Sequence, residues 1–229
     1  MSDVLAIQGA LKARGYDPGP LDGLWGVRSR TATRLFQVAS KLLADGVPGT
    51  KTLAALGLSK PPAHPLWFEV ADKLVGTKEA PGVKTNPVIL SWADPLGAPV
   101  KSIYTADSIP WCGLFVAHCL ATALPDEVLP TTPLWAQAWA KFGVEMKVPA
   151  IGAVCIFVRE GGGHVGFYAG EDRGRGVIRL LGGNQSDAVT YASIARSRLV
   201  ATRWPRTVPL PSAGPVLVQA KGALSTNEA

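Results

Sequence analysis

The sequence predicts an α+β protein, in which a small three-helix module precedes a larger domain of helices packed on an antiparallel sheet. Before residue 150, apolar residues recur at helical spacing in several segments. From residue 151 onward, short apolar segments alternate with Gly-rich or polar turns, which is typical of antiparallel strands. A stretch with three prolines, "GLSKPPAHP" at 57–65, has neither pattern and separates the two parts. Helices followed by strands indicate the α+β class.

These patterns divide the chain into four predicted segments. We expect the module at 1–58, a Pro-rich linker at 59–65, the larger domain at 66–208 and a tail at 209–229. The tail consists of small residues and prolines, and we expect it to be loosely ordered and without an assigned function.

Composition limits the classes of function. With 47% hydrophobic and 17% charged residues among 229, the chain is apolar and long enough to fold. Its three cysteines are an odd number, which argues against a disulfide-stapled extracellular scaffold. A net charge of +6 suits a polyanionic partner such as a cell wall. Because no basic cluster with interleaved aromatic residues is present, nucleic acid is not an expected partner.

The N-terminal sequence predicts where the protein is made. "MSDVLAIQGALKARG" lacks a basic segment followed by an apolar one, so no secretory signal is predicted. No apolar run approaches the roughly 18 residues of a membrane-spanning helix, so stable membrane insertion is not expected. We expect synthesis in the cytoplasm and a monomer.

Two helical patterns and a repeated turn organise the module. Residues 3–14 form a predicted helix that stops at Gly15, and a second helical pattern runs from Ala32 to Leu43. The phrases "DGLWGVRS" at 22–29 and "DGVPGTKT" at 45–52 share the pattern D-G-x-x-G-x-x-[S/T]. We expect its hydroxyl to cap the helix that follows. By itself, the repeat predicts a turn without a binding role.

Together, "IQGALKARGYDPGPLDGLWG" and "FQVASKLLADGVPGTKTLAAL" resemble the peptidoglycan-binding module of many cell-wall hydrolases. The resemblance covers residues 3–58. It implies a three-helix unit whose third helix is Thr50–Leu56, with peptidoglycan as the partner. Trp25, an aromatic residue on a turn, is the predicted glycan contact.

The larger domain begins with helices and continues with strands. Helical patterns cover 66–76, 86–93 and 110–124, and "TTPLWAQAWAKFG" at 131–143 adds a helix with Thr132 as cap and Gly143 at its stop. The predicted strands are "AVCIFV", "HVGFYAG", "VIRLLGG", "AVTYAS" and "RLVATRW".

A candidate nucleophile lies in "SIPWCGLFVAHCL" at 108–120. Pro110 suits a first helical turn, which places Cys112 where the helix dipole and free N–H groups favour a thiolate. Cys119 lies two turns deeper, roughly 10 Å away, so we expect a packed thiol and no disulfide between the two. His118 falls on the far side of the helix from Cys112.

The candidate base is His164, at the start of a strand after three glycines. Those glycines, including Gly163, leave room for a substrate backbone to approach. If Glu171 pairs with Val177 across the following hairpin, Asn184 lies opposite His164 on the same face. A side-chain carbonyl there would fix the imidazole tautomer.

Five phrases in order resemble the papain-like cell-wall amidases and peptidases of the CHAP and NlpC type. They are "GTKEAPGVKTNPVIL", "IPWCGLFVAHCL", "WAQAWAKFG", "GAVCIFVREGGGHVGFYAG" and "LLGGNQSDAV". The resemblance implies Cys112 as nucleophile, His164 as base and Asn184 as third residue, with Gln185 as a substitute. It also implies an oxyanion hole that includes the Cys112 N–H.

Three further residues are candidates for the site. Trp111, beside the nucleophile, is a predicted substrate contact. Asp107 would either cap the Cys112 helix or bind a substrate amine, and Glu79 is either exposed or in the cleft. Neither C-x₂-C, H-x₃-H nor H-E-x-x-H spacing occurs, so no metal and no cofactor are predicted.

The sequence therefore predicts an endolysin-like peptidoglycan hydrolase that cleaves an amide bond through a cysteine. It would act on the cell wall after release by a holin or another route. The scissile bond stays open between an N-acetylmuramoyl-L-alanine amidase and an endopeptidase. Three alternatives are a non-catalytic wall-binding or structural phage protein, an exported antibacterial amidase effector and a zinc amidase.

Overall fold

A computed structural model describes residues 3–58, 64–82, 84–159, 161–220 and 224–225 of the chain. The fold is α+β, as predicted, with helices first and an antiparallel six-stranded sheet after them. The chain divides into two compact units, Met1–Val70 and Ala71–Ala229. Most of the predicted linker, 59–63, lies outside the described residues. No helix in the described part of the chain has the length and apolarity to cross a membrane.

The first unit contains three helices within its first 58 residues. They are α1 (Asp3–Lys12), α2 (Val27–Ala39) and α3 (Thr50–Ala55), and α4 (Leu66–Lys73) follows. Residues of all three early helices and of the first turn form the core: Val4, Ile7, Leu11, Trp25, Ala32, Phe36 and Leu53. Burial of these side chains is the main free-energy term that holds so small a unit together.

A buried glutamine organises the first copy of the repeated turn. Gln8 Oε1 accepts the amide of Gly23 at 2.8 Å, and its Nε2 donates to the carbonyl of Leu24 at 2.8 Å. The same Nε2 lies 3.2 Å from Ser29 Oγ. One side chain on α1 therefore satisfies the backbone of a turn 15 residues away.

Gln37 on α2 does the same for the second copy. Its Oε1 accepts the amide of Gly46 at 2.7 Å, and its Nε2 donates to the carbonyl of Val47 at 2.9 Å and to Thr52 Oγ1 at 3.1 Å. The predicted capping role of the repeat's hydroxyl is wrong, because α2 and α3 begin without a side-chain cap. Ser29 and Thr52 bond the two glutamines instead, so the repeat is a glutamine-fastened turn.

The second unit carries further helices and all six strands. Its α-helices are α5 (Pro87–Ser91), α6 (Ala98–Ile103) and α7 (Cys112–Ala123), and its 3₁₀ turns are Asp94–Leu96, Ala136–Lys141 and Arg196–Arg198. The strands are β1 (Val144–Glu145), β2 (Val154–Arg159), β3 (Gly162–Asp172), β4 (Val177–Gly182), β5 (Thr190–Ala195) and β6 (Leu199–Trp204).

All neighbouring strands are antiparallel, and their order is β1-β6-β2-β3-β4-β5. Helix α7 packs against the central strand β3, with the rings of Phe115 and Phe167 6.0 Å apart. Almost every residue of α7 is buried, which explains why its sequence is apolar all round. This packing fixes the start of α7 against the start of β3.

The predicted helix at 131–143 is wrong in its extent, because only Ala136–Lys141 is helical and that turn is 3₁₀. The indole of Trp139 donates to the carbonyl of Pro133 at 2.9 Å, so a side chain takes an acceptor that an α-helix would use. Gly113 on α7 also lies close to the carbonyls of Pro133 and Leu134. The backbone before Ala136 is therefore held by tertiary contacts instead of helical ones.

Part of the expected loose tail is paired with the sheet. Leu217 forms a parallel bridge with Glu171 on β3, and the amide of Val218 donates to the Glu171 carbonyl at 3.0 Å. The pairing of β2 with β3 ends at Phe167, whereas β3 continues to Asp172. The last residues of β3 therefore have backbone groups on the β2 side that β2 does not pair. The tail occupies this edge of β3.

Candidate active site

Cys112 is the first residue of α7 and is only 4% exposed. Burial raises the pKa of its thiol, and the backbone amides of Val165 and Gly113, with the Arg159 charge, offset this only in part. The expectation of a resting thiolate is thus corrected to a neutral thiol, because desolvation outweighs the helix dipole. The contact with Val165 places the thiol beside the residue that follows His164.

His164 is completely buried in β3, where it pairs with Phe157 of β2. Beyond it, Phe167 pairs with Leu181 in the register that the sequence predicts. Nearer the turn, Glu171 pairs with Ile178 and not with Val177, because the register shifts by one residue between Tyr168 and Gly170.

The predicted pairing of Asn184 with His164 is wrong, because β4 ends at Gly182. The chain turns away there, with positive φ at Asn184, Ser186 and Asp187. Asparagine and aspartate, the residue types of Asn184 and Asp187, tolerate the left-handed region better than most. The turn places the next side chain, that of Gln185, on the imidazole.

Gln185 Oε1 lies 3.1 Å from His164 Nε2. The Gln185 amide group donates to the carbonyl of Gly182 at 3.2 Å and to that of Thr190 at 2.5 Å, so its oxygen must face the histidine. An oxygen acceptor there requires the proton on Nε2 and leaves Nδ1 as the basic nitrogen. Gln185, named by the sequence only as a substitute, therefore orients His164.

Two glycines let this turn approach the helix and the histidine. A Cβ on Gly182 would lie 3.1 Å from His164 Nε2 and 2.9 Å from Gln185 Oε1. A Cβ on Gly183 would lie 2.6 Å from both Phe115 Cβ and the Trp111 ring. Gly182 and Gly183 of the "GGNQ" segment thus each have a steric reason, which the sequence signals through its Gly-Gly and following turn-forming residues.

Trp111, predicted to contact substrate, is fully buried beside the nucleophile. Its indole N–H donates to Glu79 Oε1 at 2.7 Å. Burial raises the pKa of Glu79, and the carboxylates of Asp187 and Asp107 act in the same direction. Glu79, whose position the sequence left open, lies beside the nucleophile-bearing helix.

Asp107 is 2% exposed and does not cap α7, whose first residues have no side-chain cap. Its Oδ2 accepts the amides of Ala80 at 2.8 Å and Asn86 at 2.7 Å. The carboxylate thereby fixes the segment that carries Glu79.

The room predicted beside Gly163 is filled by the chain itself. A Cβ on Gly163 would lie 2.2 Å from Gln137 Nε2, which donates to the carbonyl of Phe157 at 3.2 Å. The glycine is needed for packing of the 3₁₀ turn against β3, and this corrects its predicted role as open space for substrate. Gln137 is a neighbour of the site that the sequence did not identify.

The remaining candidates lie in the core. Trp25 is 1% exposed, so its predicted glycan contact is corrected to a core position in the first unit. Burial raises the pKa of Cys119 well above its usual value and that of Cys155 to about 12. Among the described residues, no group of three or more His, Cys, Asp or Glu is placed to hold a metal ion.

Comparison with known families identifies the first part of the chain. Residues 1–56 match the model of the peptidoglycan binding domain family. No curated protein matches the chain, and no solved structure matches it. The N-terminal module is therefore a peptidoglycan-binding domain, which indicates association with the cell wall.

Proposed function

We propose that this chain is a peptidoglycan hydrolase whose second unit is a papain-like cysteine amidase or endopeptidase of the CHAP and NlpC type. The observation that carries the proposal is the hydrogen bond from His164 Nε2 to Gln185, together with the position of the Cys112 thiol. The thiol contacts the backbone amide of Val165, the residue directly after His164. A thiol, a base and an orienting group form the minimal set for nucleophilic catalysis on a carbonyl.

In the proposed reaction, His164 Nδ1 accepts the proton of the Cys112 thiol as the sulfur attacks an amide carbonyl of the peptide stem. The resulting oxyanion is stabilised by the backbone N–H of Cys112 at the start of α7. The imidazolium then protonates the leaving amine, which departs as the thioester forms. Water, deprotonated by His164, hydrolyses the thioester and restores the thiol.

Gln185 acts as a positioning residue in this scheme. It accepts a hydrogen bond from Nε2 in both the neutral and the charged imidazole, so the ring keeps its orientation throughout. The neutral resting thiol means that the reaction depends on His164 as a base, because burial disfavours a free thiolate.

The binding domain would hold the hydrolase on its polymeric substrate. A weak binder linked to a catalytic unit raises the local concentration of cleavable bonds without any new contact. An endolysin released by a holin and an exported antibacterial effector would both use this arrangement.

A non-catalytic wall-binding protein is the second candidate. It is favoured by the burial of Cys112 and by a family match that covers the binding domain.

Mass spectrometry of fragments released from purified sacculi separates these functions. Wild-type protein is expected to release fragments with new amine termini, Cys112→Ala to release none, and Cys119→Ala, a matched buried thiol, to keep the activity. Sedimentation with sacculi but no release by any of the three proteins would refute the hydrolase. Equal loss in both variants would refute Cys112 as the nucleophile.

A further inference from the structure

One tryptophan of the second unit is exposed where it lines a pocket. The chain has seven tryptophans, and six of them are at most 2% exposed, whereas Trp135 is 63% exposed. Val128, which lines the same pocket, is 83% exposed. Large apolar side chains that are left in solvent around a concave surface indicate a binding site, because their burial is completed only by a ligand.

The pocket lies between the loop at 126–131 and the 3₁₀ turn Ala136–Lys141, and Arg206 and Thr207 also line it. We name it the Trp135 pocket. Its volume is about 690 Å³, which is within the roughly 300–1,000 Å³ that small-molecule sites occupy. The pocket is therefore large enough for sugar rings or for a short peptide.

The walls of the Trp135 pocket are tied together by the protein itself. The carboxylate of Glu127 accepts the backbone amides of Arg206 at 2.9 Å and Thr207 at 2.8 Å, and also the Thr207 hydroxyl at 2.6 Å. The Arg206 guanidinium donates to the carbonyl of Gly143 at 3.2 Å. A site whose walls are already fastened needs little ordering when a ligand binds.

The charges in the pocket favour an uncharged ligand. Among the described residues that line it, two are acidic and two are basic, so their formal charges cancel: Asp126, Glu127, Lys141 and Arg206. A stem peptide carries ammonium and carboxylate groups, which such a balanced site does not select. The sugar rings of the glycan strand are uncharged and have an apolar face and polar edges. They suit an exposed indole with polar neighbours.

The segment that carries Trp135 also contacts both elements of the candidate active site. Gln137, which lines the pocket, lies so close to Gly163 that a Cβ there would be 2.2 Å from its Nε2, and Gly163 directly precedes the proposed base. A Cβ on Gly113, directly after the proposed nucleophile, would lie 2.3 Å from the carbonyl oxygen of Pro133. Pro133 is two residues before Trp135, so their Cα atoms are at most about 8 Å apart.

We propose that the Trp135 pocket binds an N-acetylhexosamine ring of the glycan strand, stacked on the Trp135 indole. This inference deepens the proposed hydrolase and rests on it, because a sugar held there would keep its own stem peptide near the thiol. Wall fragments that retain their sugars would therefore be better ligands of the second unit than free stem peptides.

The test follows the indole N–H of Trp135 by nuclear magnetic resonance on the full chain carrying Cys112→Ala. The probe is chitotetraose, an uncharged tetramer of N-acetylglucosamine, and the comparison is the stem tetrapeptide L-Ala-γ-D-Glu-L-Lys-D-Ala. We expect chitotetraose to shift this resonance saturably, with a dissociation constant of about 1 mM or below, and the tetrapeptide to leave it unchanged. The resonance reports on one residue of the second unit, so sugar bound by the first unit does not affect the reading.

Variants tie the binding to the indole, with the backbone amide of Lys141 as the resonance that is followed. Trp135→Ala is expected to weaken chitotetraose binding by about tenfold, whereas Trp135→Phe, which keeps an aromatic ring, should stay within about threefold of the unsubstituted affinity. Val148→Ala is the matched control, an apolar side chain that is 53% exposed outside the pocket, and it should bind as before. The melting temperature of Trp135→Ala should change little, because most of this side chain is in solvent.

An unchanged Trp135 resonance at about 10 mM chitotetraose would overturn the proposal. Unchanged affinity in Trp135→Ala would overturn it as well, and so would a shift caused by the tetrapeptide and not by the sugar. The hydrolase proposal depends on fragment release from sacculi and would survive each of these results.

Discussion

Acidification is expected to destabilise the second unit through His118, on the same helix as Cys112. Its ring stacks on Trp92, with centroids 5.6 Å apart, and its Nδ1 is buried without a hydrogen bond among the described residues. Burial lowers the pKa of His118 to about 4. The folded protein therefore resists protonation at this site, whereas the unfolded chain takes up a proton near its ordinary pKa of about 6.5.

The sign and size follow from linkage. Because the pKa of His118 is lower in the folded state, the neutral imidazole contributes fully to the unfolding free energy above about pH 6.5. This contribution is lost as the pH falls towards 4. Between about pH 7.5 and 5, a shift from 6.5 to 4 removes about 2 kcal/mol of unfolding free energy. Carboxylates of ordinary pKa remain largely ionised in this window, so they contribute less.

Urea unfolding of wild type and His118→Gln at about pH 7.5 and 5 measures the effect. The glutamine cannot ionise, so we expect the wild type to lose about 2 kcal/mol more than the variant over this interval. Equal losses in the two proteins would refute the assignment of His118 as a buried neutral histidine.

Three further results are expected. Gln185→Leu should lower the rate of sacculus digestion by at least about tenfold, because the His164 ring loses the acceptor that orients it. Asn184→Gly should keep the wild-type rate. A large loss of rate in Asn184→Gly with little loss in Gln185→Leu would contradict the observed hydrogen bond. Gly113→Ala should lower the unfolding free energy by about 2 kcal/mol or more, because the new Cβ would lie 2.3 Å from a backbone carbonyl oxygen, and this outweighs alanine's better helix propensity. A higher unfolding free energy of the variant in urea would contradict this packing. Burial opposes ionisation of Glu171, but bonds from two arginines hold its pKa below the usual value. The ionised carboxylate therefore adds to the unfolding free energy above about pH 4.5, and this contribution is lost in more acid solution. In urea unfolding at several pH values, Glu171→Gln should lose less unfolding free energy in acid than the wild type.

Local patterns predicted most of the elements. The period of apolar residues located α7 within two residues, and the alternation of apolar segments with turns located five of the six strands. Both patterns locate elements correctly because hydrogen bonding and side-chain direction repeat at a fixed period along a single helix or strand. The short strand Val144–Glu145 carried no such pattern, and it exists only because β6 pairs with it.

The module shows the same division. Its repeated phrase identified two equivalent turns, since glycine and aspartate favour such conformations wherever they occur. What fastens each turn was not readable, because Gln8 and Gln37 reach their turns across the fold.

By itself, the sequence determined the class of the fold, the peptidoglycan-binding domain, and the placement of Cys112 and His164 at the starts of a helix and a strand. Tertiary structure decided how these residues are tuned. The end of β4 at Gly182 and the turn after it bring Gln185 to the imidazole, where the sequence placed Asn184. Burial sets the Cys112 thiol neutral, because desolvation depends on everything packed around the group and not on its neighbours in the chain.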